Sequence, residues 1–196
     1  VHYRTHRRHI IRITPLIAAL ATGLLLAGQH FGWWQRALAD GEQAQPGTYA
    51  IDHFIDGDTI AINMNGIIEK IRMIGVDTPE THKPNTPVQC YGEEAAAYTK
   101  QLIGNDRVRV ASDSKSSNRD RYNRLLRYVY LPDGRMVETE LITHGYGFAY
   151  TYFPFTKSAE FTADEQQAQA AHIGLWSACK PIANQYGGYT SNVVEQ

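Results

Sequence analysis

Residues Ile55 to Pro84 read IDGDTIAINMNGIIEKIRMIGVDTPETHKP. Within and beside this stretch, Thr48–Phe54, Thr59–Met64 and Ile67–Val76 alternate apolar and polar side chains with the two-residue period of a strand that faces a core. Asn65-Gly66 joins the second run to the third, and that dipeptide suits the two positive-φ positions of a type I′ hairpin turn. The stretch therefore predicts a three-strand meander.

The same residues set Asp56, Asp58, Asp77 and Glu80 around Arg72. Four carboxylates beside apolar strands lose hydration and repel each other unless something positive sits among them, either a metal ion or a bound guanidinium. An all-oxygen set suits Ca²⁺ or Mg²⁺, whereas Zn²⁺ favours Cys and His, and no paired Cys or His spacing occurs. The loop of an EF-hand, with its closing Glu, is absent. The eight histidines form no ligand pattern and Cys90 has no evident base, which argues against a histidine or thiol mechanism. Taken singly, DGDT reads as an acidic turn and DTPE as a proline-set loop with a capping carboxylate. Together around Arg72 they point to an oxygen-ligand site. A straight third strand would hold Arg72 and Asp77 roughly 16 Å apart on opposite faces. If the two share a site, the strand must curl or bulge near Gly75.

Downstream, Tyr91–Ile103 predicts a helix with acids in its first turn, stopped by Gly104. Arg107–Ala111 and Leu125–Leu131 read as strands, Val137–His144 and Ser158–His172 as helices, and Leu175-Trp176 as a closing contact on the core. A second arginine group, Arg119 to Arg124, lies between the last two strands. This element order is that of a five-stranded OB-type barrel capped by about three helices.

Upstream, Ile13–Gly28 carries no charge and follows Arg4, Arg7, Arg8 and Arg12, while Trp33 and Trp34 suit a membrane interface. Residues 1–39 are therefore expected to be an export signal or a membrane anchor with an N-terminal hydrophobic helix. Ala37-Leu38-Ala39 offers a cleavage site, and the sixteen uncharged residues suit either reading. Val1 stands where an initiator Met is usual, which an alternative start codon or a missing stretch would each explain. Residues 40–47 read as a linker, 48–180 as the folded domain and 181–196, rich in Gly, Asn and Tyr, as a flexible tail.

The chain of 196 residues carries a net charge of −1, unevenly spread. Five of its 19 basic residues and one of its 20 acids lie in the first forty positions, so 14 basic and 19 acidic residues follow. That acidic remainder lacks the broad basic footprint of a high-affinity nucleic-acid binder.

IDGDT, then R-x-x-x-x-DTPE, YGEEA at Tyr91–Ala95, DRYNR at Asp120–Arg124, DG-x-MV at Asp133–Val137 and finally Leu175-Trp176 occur in order. Together they resemble the staphylococcal nuclease (thermonuclease) family over about Thr48 to Ser177. The resemblance implies an OB-fold Ca²⁺-dependent endonuclease acting on DNA and RNA, breaking the bond to O5′ to leave 3′-phosphate and 5′-hydroxyl ends. It also implies that Asp58, Asp77 and the Thr78 carbonyl hold Ca²⁺ and that Glu80 positions the attacking water. Arg72 and Arg124 would grip the phosphate, with Asp56 beside the metal. Tyr122 and Tyr150 would line the nucleotide pocket, with Asp120 in the same loop on the substrate side. Stacking on tyrosines reads no base edges, which fits a tolerance of both polymers and a preference for single strands. Two departures stand out: Asn123 replaces a common glycine, and Pro84–Gln89 is uncharged where a lysine-rich loop is known. The alternatives are a catalytically inactive OB-fold module that binds nucleic acid or protein, and a Ca²⁺-binding extracellular module. Export places the domain outside the membrane, tethered only if the first segment is uncleaved, and the chain is separately expected to be a monomer. An oxidising compartment and an even count favour a Cys90–Cys179 disulfide over two separate thiols.

Overall fold

The computed structural model describes residues 42–81 and 87–193; the expected export segment lies outside them. Among the described residues ten strands form, β1 Glu42–Ala44, β2 Tyr49–Asp56, β3 Thr59–Met64, β4 Ile67–Met73, β5 Val76–Asp77, β6 Arg107–Asp113, β7 Leu125–Tyr130, β8 Phe148–Ala149, β9 Ile182–Ala183 and β10 Tyr189–Thr190. The helices are α1 Gly92–Ile103, α2 Val137–Thr143, α3 Ser158–Ala170 and the single turn α4 Leu175–Ala178.

Strands β2, β3, β4, β7 and β6 pair in that order, and β6 returns to β2, closing a five-stranded barrel. All contacts in the ring are antiparallel except β4 with β7. Asn65 and Gly66 take φ of 56° and 92°, as a type I′ turn requires. Register shifts between Ile51 and His53 and between Phe54 and Asp56 curl β2 around the ring. Closure buries β3 on both sides, which is why Ile60, Ala61 and Ile62 are all fully buried. Ile60 and Ile62 pack with Ile71, Met73, Val110, Tyr128 and Phe161, the last contributed by α3.

Three parts of the sequence reading are corrected. Glu42–Ala44, placed in the linker, pairs with Ala111–Asp113 at the free edge of β6. As far as Val193 the tail is folded: β9 and β10 pair, and Gln89 bridges Val193. Its weak apolar pattern hid this order, which comes from backbone pairing to the domain. The third strand ends at Met73, three residues early, because the chain breaks at Ile74-Gly75 and β5 leaves to pair with β8.

That break depends on Gly75. Its φ is 74°, and a Cβ there would lie 2.6 Å from the Phe155 ring and 3.0 Å from Phe161. Gly75→Ala is therefore expected to destabilise the fold by about 2 kcal/mol through backbone strain and overpacking. A lower urea midpoint at unchanged slope would bear this out, and an unchanged midpoint would refute it.

Candidate active site

The DGDT turn leaves β2 at Asp56 and enters β3 at Thr59, so it rides on a strand whose first four residues are buried. Gly57 lets this turn lie against Thr78, whose side chain would meet a Cβ at 2.8 Å. From the other side, Thr99 of α1 donates to the Gly57 carbonyl at 2.6 Å. Asp58 is buried, and its Oδ1 accepts from Thr59 Oγ1 at 2.8 Å. Its Oδ2 accepts from the Thr78 amide at 3.0 Å and from Thr78 Oγ1 at 3.3 Å.

Arg72 faces this turn because it lies opposite Thr59 in the β3–β4 register. Its Nη1 donates to the Met73 and Val76 carbonyls at 2.8 and 2.6 Å. Its Nη2 donates to Asp77 Oδ1 at 2.7 Å and stands 3.2 Å from Asp58 Oδ2. The break at Gly75 thus brings Arg72 and Asp77 together, five residues apart, and the guanidinium bridges the two carboxylates.

Burial alone would pull the Arg72 guanidinium down, but the charges of Asp58, Asp77 and Glu80 hold it above its ordinary value. Burial, then the neighbouring Asp58, pushes the Asp56 carboxyl up to about 6; the nearby Glu80 charge adds to this, against hydrogen bonds from the Gly57 amide and Thr81. Glu80 therefore sits within electrostatic reach of both groups. Its backbone is fixed by a reciprocal pair, Glu80 N to Gln89 Oε1 and Gln89 N to Glu80 O, each 2.9 Å.

The second arginine group divides its work. Arg119 forks onto Glu69 at 2.9 and 2.8 Å, so it braces the barrel wall. Arg121 lies over the exposed Tyr122 ring and bonds its hydroxyl at 2.8 Å. Arg124, just before β7, reaches Thr59 Oγ1 at 3.4 Å, and so the same turn that Arg72 touches through Asp58. Asp120 accepts from the Tyr122 and Arg124 amides, both at 2.9 Å, and from Arg124 Nε at 2.7 Å. Burial would raise the Asp120 carboxyl, but these bonds to Arg124 and Tyr122 hold it below its usual range. Asp120 accordingly positions Arg124. Both of its oxygens are engaged by Arg124 or Tyr122, within the loop that was expected on the substrate side. Asn123 takes φ of 65°, a conformation that Asn tolerates better than other side-chain-bearing residues, so it can stand in for glycine here.

Tyr150 lies near enough to Asp77 and Arg72 to feel both charges; burial first, then Asp77, raises its hydroxyl above the ordinary value. The uncharged loop is described only from residue 87. Sequence reasoning gave no role to Thr59, Thr81, Gln89 or Thr99, which hold Asp58, Asp56, Glu80 and the turn. Thr59 and Thr81 stood in the quoted stretch, but the contacts of Thr81, Gln89 and Thr99 are set by tertiary approach and leave no local signal.

Among the described residues, no three His, Cys, Asp or Glu close on one point as a ready-made metal cage. Asp58, Asp77 and the Thr78 carbonyl nevertheless offer hard oxygen donors, and Ca²⁺ accepts water and substrate oxygens for the remainder. The Asp56 carboxyl is raised by burial first and then by the charges of Asp58 and Glu80, and a hard cation would offset that second part.

A family model described as staphylococcal nuclease homologue matches residues 70–178. The chain is 44% identical over 131 residues to a thermonuclease of Staphylococcus hyicus, covering 66% of this chain and 76% of that protein. It is 42% identical over 136 residues to endonuclease YncB of Bacillus subtilis, covering 68% of this chain and 64% of YncB. It is also 42% identical over 129 residues to the SPbeta prophage-derived endonuclease YokF of the same organism, covering 65% of this chain and 43% of YokF. The chain thus spans less than two thirds of both Bacillus relatives.

Proposed function

The chain belongs to the staphylococcal nuclease homologue family, and on that premise we propose that it is a Ca²⁺-dependent endonuclease hydrolysing phosphodiester bonds of DNA and RNA. The observation that carries the reading is the meeting of two guanidiniums on one turn. Arg72 comes from β4 and Arg124 from the entry to β7, and both reach the Asp58–Thr59 step. A structural ion pair needs one arginine there; a dianionic transition state at phosphorus is served by two.

Water attacks phosphorus, the bond to O5′ breaks, and the leaving alkoxide takes a proton from surrounding water to become the 5′-hydroxyl. Glu80 orients the attacking water and accepts its proton. Arg72 and Arg124 hold the non-bridging oxygens, where a planar fork grips two oxygens at once. Asp58, Asp77 and the Thr78 carbonyl would hold Ca²⁺, which supplies charge neutralisation at the phosphate. The products are 3′-phosphate and 5′-hydroxyl ends.

Tyr122 and Tyr150 offer ring faces to bases, which supports a preference for single strands, with a monomer sufficient for the site. The joined Cys90 and Cys179 support export to an oxidising compartment, with the domain outside the membrane and tethered if the first segment is retained.

Denatured DNA should be digested by the full chain with Ca²⁺, weakly with Mg²⁺, whose tighter octahedron suits this open donor set poorly, and not in chelator. Undiminished digestion in chelator would overturn the metal assignment. Binding without cleavage under any ion would favour the inactive OB-fold module instead.

A further inference from the structure

The C-terminal hairpin is held in a defined place beside the site. Asn184 Oδ1 accepts from the Tyr186 and Gly188 amides at 2.9 and 3.3 Å, and its Nδ2 donates to the Tyr189 carbonyl at 3.0 Å. Thr151, next to Tyr150, donates to the Gly187 carbonyl at 3.2 Å. The loop 184–188 is thereby docked on the segment that follows Tyr150.

This docking sets the Tyr186 ring 5.1 Å from Tyr152, edge to face. Tyr152 in turn meets Phe153 at 4.8 Å, and Tyr150 lies 6.3 and 6.1 Å from the two. Tyr152, Phe153 and Tyr186 remain 53%, 59% and 45% exposed. Three large aromatic side chains held together in water lose the benefit of burial, so contiguous exposure of this kind marks a surface that something covers. Beyond Phe153 the surface runs into a groove of about 420 Å³ lined by Pro154, Ser158, Thr162 and Gln166.

The character of the covering partner follows from what the patch contains and adjoins. It is aromatic rather than aliphatic, and it continues directly from Tyr150 at the phosphate-binding end of the site. The chain after position 40 is net acidic, so it cannot gather a polyanion by broad charge attraction. Stacking remains as a source of affinity, since every base offers a π-face. We propose that Phe153 and Tyr186 form an extended stacking platform for the bases of a single-stranded nucleic acid, beyond the nucleotide held at Tyr150. The platform rests on the phosphodiesterase reading above and adds to it a preference for longer single strands, built partly from the hairpin.

The test uses the full chain and two fluorescein-labelled thymidine oligomers, a dinucleotide and one of about twelve nucleotides, the span of a typical single-strand site. Anisotropy is measured in EDTA, where cleavage does not interfere. Tyr186→Ala is expected to weaken binding of the longer oligomer by about tenfold and to leave the dinucleotide unchanged. Phe153→Ala should behave alike, and Tyr186→Trp should restore tight binding. Equal binding of the longer oligomer by wild type and Tyr186→Ala would overturn the platform. So would an equal loss on both lengths, which is the signature of a merely structural tyrosine. Catalysis is judged separately: length-dependent binding with no cleavage in Ca²⁺ ends the nuclease reading and keeps the platform, and cleavage with no length dependence does the reverse.

Discussion

Arg124→Ala is expected to lower kcat on denatured DNA by about 10²–10³-fold, the usual cost of removing one donor aimed at transition-state charge. Arg124 suits this test because its loss leaves the barrel intact: it is partly exposed and held by Asp120, Thr59 and the Tyr122 face. Arg72 is less clean, since it also anchors two carbonyls and two carboxylates. If Arg124 acts in the transition state, kcat and kcat/KM fall together and KM barely moves. Arg124→Lys should recover only part of the loss, because an ammonium supplies charge without the two-oxygen fork. Asp120→Asn should produce a smaller drop of the same kind by loosening the guanidinium. A rise in KM at constant kcat would show that Arg124 only gathers substrate, and unchanged kinetics would remove it from the site.

The barrel was legible because its strands are written locally. Thr59–Met64 alternates, Asn65-Gly66 specifies its own turn, and both survive in the fold without change of boundary. Arg72, Asp77 and Glu80 were legible through the motif and the charge argument, since buried carboxylates demand a positive partner. The sequence left open whether that partner was a metal or a guanidinium, and Arg72 now stands between Asp58 and Asp77. Strand length failed at Ile74-Gly75 because the residues still alternate there, while Phe155 and Phe161, about eighty residues on, fill the space that Gly75 leaves. For Asp120 the motif tells that the residue is near the site, and hydrogen-bond geometry adds that it holds Arg124. The tail misled because a polar, glycine-rich composition says nothing about backbone pairing or a distant disulfide.

Replacing Cys90 and Cys179 together by Ser is expected to lower stability by about 2–5 kcal/mol, the common cost of removing a native disulfide. The bond joins residues 89 apart, with Cα atoms separated by 5.9 Å. For a closed loop of that length the chain-entropy model gives about 4.6 kcal/mol, an upper figure that folded-state relaxation reduces. At about 3 kcal/mol, Tm falls by about 10 °C in a domain of this size. The loss is spread along the tail, because the Cys90 amide donates to the Asn192 carbonyl at 2.7 Å and Ser191 Oγ donates to the Cys90 carbonyl at 2.8 Å. It also reaches Glu80, since Gln89, which holds its backbone, bridges Val193. Asp58, Arg72 and Asp77 hang on the barrel strands and the β5–β8 pair, away from this tether, so the proposed calcium dependence should be the same in the double variant as in the wild type. Native protein should show no alkylated cysteine by intact mass before reduction and two after it, with the melting temperature falling only in the reduced sample. Two free thiols before reduction, or a melting temperature indifferent to it, would end the assignment of the bond as the tail's anchor.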